Sequence, residues 1–335
     1  MNSERFVLSI QKPWISCYTT YSHLLSILQC DERTHEWIYS NFIQMYMNKD
    51  LNENWWGEFY KPMPYELSFF EICKWIEFQK IRRNNVTTNK KNILDFVISE
   101  LRQGYYLHLQ IEHKYIKSFE NNKHFHDALI YGIDLNKEIV YAQDVFFKGI
   151  YEIKVLTIDE FLDSVYYCKI PEEHDYTKDS IYSYKIKRNC DYEFDEKNIW
   201  NQMKDYYNSK IPEYWRLYNS ANRKNMCFGI EIYDALINYM KTVEFAKINI
   251  RPFYVLKDHF IILKKTVEYL KQSYFRINFK YDNLIDIYDE LLALADILNM
   301  LLLISREFPE REKKHKIISL IDEMRLKEAK IIDLI

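Results

Sequence analysis

The sequence predicts an α+β region of about 170 residues followed by a bundle of helices, and three observations carry that expectation. Apolar residues recur at helical spacing through the first hundred positions. Runs bounded by turn residues fill positions 104 to 155 as strands, and beyond about 195 nearly every segment returns to helical spacing. At 335 residues the chain exceeds the size of one typical core, so two domains are expected, at 1–170 and 195–335, with the polar, Tyr-rich stretch 171–194 connecting them.

Taken in order, residues 18–29 and 34–47 read as amphipathic helices, the second rich in rings (Trp37, Tyr39, Phe42, Tyr46). Asn52 to Pro64, with Trp55, Trp56, Phe59 and Tyr60, reads as a ring-rich loop whose Trp residues belong in a core. Helices are expected at 66–83 and 92–102, then strands at 104–111, 126–133, 138–144 and 148–155, then a helix near 157–166. In the C-terminal region Ile199, Met203, Tyr206 and Tyr207 mark one helix, and Ile230, Tyr233, Leu236, Ile237 and Met240 a second. Leu256 to Leu270 and Ile285 to Leu301 follow the same rule, with a basic helix from about 312 to 334.

Composition narrows the class. Hydrophobic residues make up 48% and aromatics 17%, ample for a sizeable core, while 5 Gly and 7 Pro argue for long regular elements with few tight turns. A net charge of −3 gives no global signature of nucleic-acid or membrane binding. The six cysteines are scattered without Cys-x-x-Cys spacing, which disfavours a zinc ribbon or disulfide scaffold and suits a reducing cytoplasm. The N-terminus lacks the apolar core of a signal peptide, and the strongest apolar run, Leu291 to Ile304, contains Asp296 and Asn299 and is too short to span a bilayer. A soluble, cytoplasmic protein is expected.

Chemistry concentrates at Cys17. It stands directly before a helical pattern, where the positive end of the peptide dipoles favours a thiolate, and Gln11 lies six residues upstream as a donor for a developing oxyanion. A base and its orienting carboxylate come from a hairpin: His126 opens one strand, Asp144 closes the next, and Leu135-Asn136-Lys137 turns between them. Asp127 and Asp134 compete for the carboxylate role, but Asp134 sits where it would cap the turn and Asp127 would point off the opposite face from His126.

Gln11, Cys17, the His126-to-Gly132-to-Asp134 strand and the strand ending at Asp144 together resemble the papain-like cysteine fold, in the branch of double-glycine leader peptidases and the N-terminal family of butirosin biosynthesis protein H. The run Glu100 to Leu109 is similar to that branch's helix, Gly, strand lead-in. The resemblance implies a papain-like catalytic domain with an appended helical bundle and a Cys17-His126-Asp144 triad. Leader peptidases usually carry Cys-Gly-Pro after the nucleophile, and Cys17-Tyr18-Thr19 stands here instead. The butirosin-type activity is therefore favoured: an acyl group passes from the phosphopantetheine thioester of an acyl or peptidyl carrier protein, through Cys17, onto a small amine, as in amide formation of the closthioamide type. No other cofactor is implied. A cysteine peptidase or thioester hydrolase, or a non-catalytic carrier-binding scaffold, are the rival readings.

Other features receive plainer readings. His108, His113, His124 and His126 cluster without ligand spacing to Cys or Glu, so no metal is expected. Ser22 and His23 read as helix surface or core. The basic groups Lys80, Arg82, Arg83, Lys90, Lys91 and Lys185, Lys187, Arg188 read as solvated ends rather than a carrier-docking face.

Overall fold

The computed structural model describes residues 4–51, 57–59, 69–119, 125–147, 150–170, 180–211, 225–274 and 279–335. Trp55, Trp56 and Tyr60 of the ring-rich loop, and His124, lie outside the described residues. Along the chain the elements are β1 (Arg5–Val7), α1 (Thr19–Leu28), α2 (His35–Asn41), β2 (Met45–Asn48), β3 (Gly57–Phe59), α3 (Phe69–Ile72), β4 (Ile76–Arg82), α4 (Arg83–Val86), α5 (Lys90–Arg102) and β5 (Tyr106–Glu112). Then follow β6 (Phe125–Asp134), β7 (Ile139–Phe147), β8 (Ile150–Thr157), α6 (Ile158–Tyr166), β9 (Ser180–Ile186), α7 (Glu196–Tyr207), β10 (Met226–Phe228), α8 (Ile232–Thr242), α9 (Arg251–Ser273), α10 (Tyr281–Glu307) and α11 (Arg311–Ala329). The architecture is α+β with a helical C-terminal region.

Two units divide these elements: 1–34 with 65–192, and 35–64 with 193–335. The first holds an antiparallel sheet in the order β4-β9-β5-β6-β7-β8, with β1 paired to the far end of β6. On one face Leu107, Leu109, Ile111, Ala128, Ile130, Val140 and Ala142 pack with Ile93, Val97 and Leu101 of α5 and Phe161, Leu162 and Val165 of α6. The i, i+4, i+8 spacing on α5 gives that helix its single buried stripe. Asn89 caps its start by accepting from Asn92 N–H, and Gly104 at φ 86° ends it in the left-handed conformation that glycine adopts without strain. A Thr157–Glu160 capping box starts α6. Strand β5 is buried along its whole length, because helices cover both faces of the sheet there. Asp134 does cap the β6–β7 turn, accepting from the N–H groups of Asn136 and Lys137 at 3.1 Å each.

Several boundaries differ from those read in the sequence. The connecting segment 171–194 contains β9, which pairs with both β4 and β5 inside the first sheet. Its Tyr182 and Tyr184 are sheet residues stacked on Phe78, and that explains the Tyr-rich composition. The described part of segment 66–83 is a short α3 followed by strand β4, in which Ile76 and Phe78 alternate with polar Glu77 and Gln79 at period two. Arg83 is buried, its guanidinium donating to the Gln110 and Val165 carbonyls, so it is not part of a solvated basic end.

The domain assignment 1–170 and 195–335 is corrected at its N-terminal side, because residues 35–64 belong to the second unit. There β2 lies between β3 and β10 in a small sheet, so the C-terminal unit is not purely helical. Segment 34–47 starts as α2, whose Tyr39 ring stacks on Tyr269, and then turns to a strand. The Ile43 carbonyl accepts from buried His259 at 2.6 Å, and Gln44 donates to the Gln202 carbonyl. These contacts within the unit decide the conformation over local periodicity.

The helical part encloses a polar knot. Glu328 is fully buried and accepts from the Tyr233 hydroxyl at 2.6 Å, while Tyr207 and Tyr288 share a hydroxyl contact of 2.5 Å. Burial pushes the Glu328 carboxyl up to about 7 against the opposing help of Tyr233 and Tyr206. A carboxyl whose folded pKa exceeds its unfolded value binds protons more tightly when folded, so its stabilising effect is complete below about pH 4.5 and is lost as pH rises to about 7. Glu328→Gln should therefore flatten the pH dependence of unfolding free energy in this window, removing a slope that amounts to about 3 kcal/mol. Denaturant titrations at pH values spanning that window measure it; an unchanged slope contradicts the assignment.

Candidate active site

At one end of the first sheet, two imidazoles converge on a single buried carboxylate. Asp144 is fully buried; its Oδ1 accepts from His126 Nδ1 at 2.5 Å and its Oδ2 from His113 Nε2 at 2.9 Å. The Val145 backbone N–H adds a further bond to Oδ1 at 2.6 Å. The ladder explains the convergence. Leu129 pairs with Gln143, which sets Asp144 across from Ala128 and one diagonal step from His126 on the same face. Ile111 pairs with His126, and His113 follows directly on that strand. The His126 side chain is 33% exposed and that of His113 is 2% exposed, so His126 is the ring a substrate can reach.

Electrostatics favour a charged pair. Burial alone would lower His126, but the Asp144 charge and hydrogen bond outweigh it, with help from Asp127, and lift the imidazole to about 9. Burial likewise opposes the charge of Asp144, yet His126 and His113 hold its carboxyl below the usual range. At neutral pH this is an imidazolium facing a carboxylate.

Neither a protein-family model nor a curated protein matches the chain.

Cys17 is half-buried and precedes Tyr18, the extended residue at the start of α1. The first N–H groups of any helix lack intrahelical partners, so a positive potential surrounds this position. Thr19, the first residue of α1, donates its hydroxyl to Asp127 Oδ2 at 3.4 Å, which brings this end of the helix beside the residue that follows His126. Strand alternation turns Asp127 toward α1 and His126 toward the face with Ile111 and Ala128, as expected from the sequence. Thus His126 and Asp144 meet directly, and the segment carrying Cys17 approaches the same end of β6.

The backbone of Gln11 is anchored elsewhere along α1. Its backbone N–H donates to the Ser26 carbonyl at 2.9 Å, two turns further along α1 than Thr19 and roughly 10 Å away along the axis. Gln29 at the end of α1 pins the same loop, accepting from Trp14 N–H at 2.8 Å and donating to the Lys12 carbonyl at 2.9 Å. The six-residue spacing from Gln11 to Cys17 fixes no direction, and here the segment runs back along α1. This path holds the Gln11 backbone beside the C-terminal half of α1.

A second polar cluster lies beneath α1 on the opposite face. His23, fully buried, meets the Tyr151 hydroxyl at 2.7 Å, and that hydroxyl reaches Gln143 at 3.1 Å. The His23 and His108 rings stand edge to face at 4.9 Å; His108 also bonds Tyr184, and Gln110 donates to Asp127. Burial and the nearby His108 hold His23 well below its ordinary value and neutral. Burial opposes the charge of Asp127, but His108, His126 and His23 outweigh it and hold the carboxyl below its usual range. Among the described residues no group of three or more His, Cys, Asp or Glu side chains is arranged so that it could hold a metal ion. Sequence reasoning missed His113 and the His23–His108 pair as partners in these networks. Aligning strand 104–111 antiparallel to the His126 strand was the signal available for His113.

Proposed function

We propose that the first unit is a papain-like thiol acyltransferase that carries an acyl group from a carrier-protein thioester, through Cys17, to a small amine. The observation that carries the reading is His126, a partly exposed imidazole fixed by a fully buried Asp144 at the end of the strand that Thr19 of α1 also reaches. An imidazolium raised to about 9 favours a thiolate partner at neutral pH over a neutral thiol. The start of α1 adds the same sign of potential.

In this mechanism the Cys17 thiolate attacks the thioester carbonyl on the phosphopantetheine arm, and the first-turn N–H groups of α1 stabilise the tetrahedral oxyanion. His126, held through Nδ1 by Asp144, gives its Nε2 proton to the departing pantetheine sulfur. The acyl-Cys17 intermediate is then resolved by an amine. Incubating the protein with an N-acetylcysteamine thioester and measuring intact mass should show one acyl adduct, which peptide mapping assigns to Cys17. An adduct on Cys30 or Cys168 instead would refute the reading. Burial pushes both of those thiols up to about 11, which makes them poor nucleophiles.

A further inference from the structure

We propose that the C-terminal half of α10 is a self-association face, through which two copies of this chain form a dimer with their α10 helices antiparallel. The inference stands apart from the acyl-transfer reading and holds whether or not Cys17 turns over a thioester.

The helix presents two apolar stripes where one suffices for its own unit. Leu291, Ala295, Leu298 and Leu302 follow one another at i, i+4, i+7 and i+11 and are buried. On the other side Ile297, Met300 and Ile304, at i, i+3 and i+7, are 42%, 54% and 38% exposed, with Leu303 beside them at 44% and Phe308 just past the helix end at 62%. From Ile297 to Ile304 the one polar side chain is Asn299, and it lies on the buried side. A helix that is apolar all round is ordinarily covered all round. Single exposed aliphatic residues are common on any surface, but five large ones on consecutive turns form a continuous patch.

Area points to a second copy. At about 200 Å² for a fully exposed large side chain, the five together offer roughly 500 Å². A two-fold contact buries the same patch on both partners, so the apolar centre alone removes about 1,000 Å² from water. A polar rim brings the total into the range of roughly 1,200–2,000 Å² that stable complexes need.

Charge sets the direction. Between Tyr281 and Ser305 the helix carries five acids and no base, whereas Arg306 to Lys316 holds five bases against three acids. Parallel pairing would bring like ends together. Antiparallel pairing turns the acidic half of one helix toward the basic end of the other and sets the two helix dipoles in opposition. Four of the five acids already pair with lysines of α9 and α11, so charge orients the contact and apolar burial holds it. The same acidic flank disfavours an anionic lipid surface, which draws apolar helix faces through Lys and Arg.

Sedimentation velocity of the full chain from about 1 to 100 μM provides the test. The mass should rise with concentration from the 41.2 kDa of one chain to twice that value and stop there, because a two-fold contact closes on itself. Met300→Glu combined with Ile304→Glu puts carboxylates into the apolar contact and should weaken dimerisation by about a hundredfold or more. Thermal unfolding should be unchanged, since both positions are exposed. Val155→Glu, at an equally exposed apolar residue of β8 in the first unit, should leave the mass as in the wild type. A chain that stays monomeric throughout, a dimer that survives the double substitution, or one dissolved by Val155→Glu overturns the proposal, as does a mass that keeps growing beyond two chains. Should the double variant not fold, Phe308→Glu takes its place, with a loss of about tenfold expected and no loss overturning the assignment.

Discussion

Cys17→Ala is expected to abolish acyl transfer, lowering kcat by about three orders of magnitude or more while leaving the fold intact. The sulfur is the only atom on the proposed route that forms a covalent bond with the acyl group, so no neighbouring side chain substitutes for it. The stability cost is small because Cys17 is half-buried and lies in the segment before α1 rather than in the core behind it, where Leu24, Leu25, Ile27 and Leu28 are fully buried. Turnover of a model thioester in the presence of amine, with thermal unfolding as a control, measures both effects. His126→Ala should fall by a similar order in the same assay, since members of such a constellation act as a unit. Full activity in Cys17→Ala would eliminate the covalent route.

The largest effect on stability is expected at Gly229. Its φ is 55°, in the left-handed region, and a Cβ built there would stand 1.9 Å from the carbonyl oxygen of Tyr206 and 3.1 Å from Ser209 Cα. Both obstacles are backbone, so no side-chain rotation relieves them. Gly229→Ala must shift the end of α7 away from the turn that leads into α8, which disturbs Tyr206 and Tyr233, both fully buried. The cost should be about 3 kcal/mol or more, well above the usual penalty for alanine in place of glycine at positive φ. A denaturant midpoint displaced by that amount, with secondary structure retained at low denaturant, is the expected measurement. A shift under about 1 kcal/mol would mean that the backbone accommodates the methyl group.

What was legible in the sequence follows from the range of the interactions involved. The helices α5 and α6 and strands β5 to β8 are all fixed by residues within a few positions of one another, and each was readable within two or three residues at most ends. The His126–Asp144 pair was readable for the same reason, since a single hairpin aligns the two. Elements set by distant partners were not. The strand β9 acquires its partners from β4 and β5 far back in the chain, and β2 from β10 nearly two hundred positions onward. His113 was missed in the same way, because a ladder between non-adjacent segments brings it to Asp144.

The division of the chain has a practical corollary. The polypeptide passes between its two units three times, near residues 34, 64 and 192, so each is assembled from separate stretches of sequence. Cutting at 194 to isolate the thiol-bearing half would leave β2 with one neighbour instead of two and strip the Phe59 and Tyr39 rings of His259 and Tyr269, their partners on α9. Such a fragment would present an open strand edge flanked by bare rings, a recipe for self-association. Only the removal of both 35–64 and 193–335 leaves the first unit free of stretches that belong to the second.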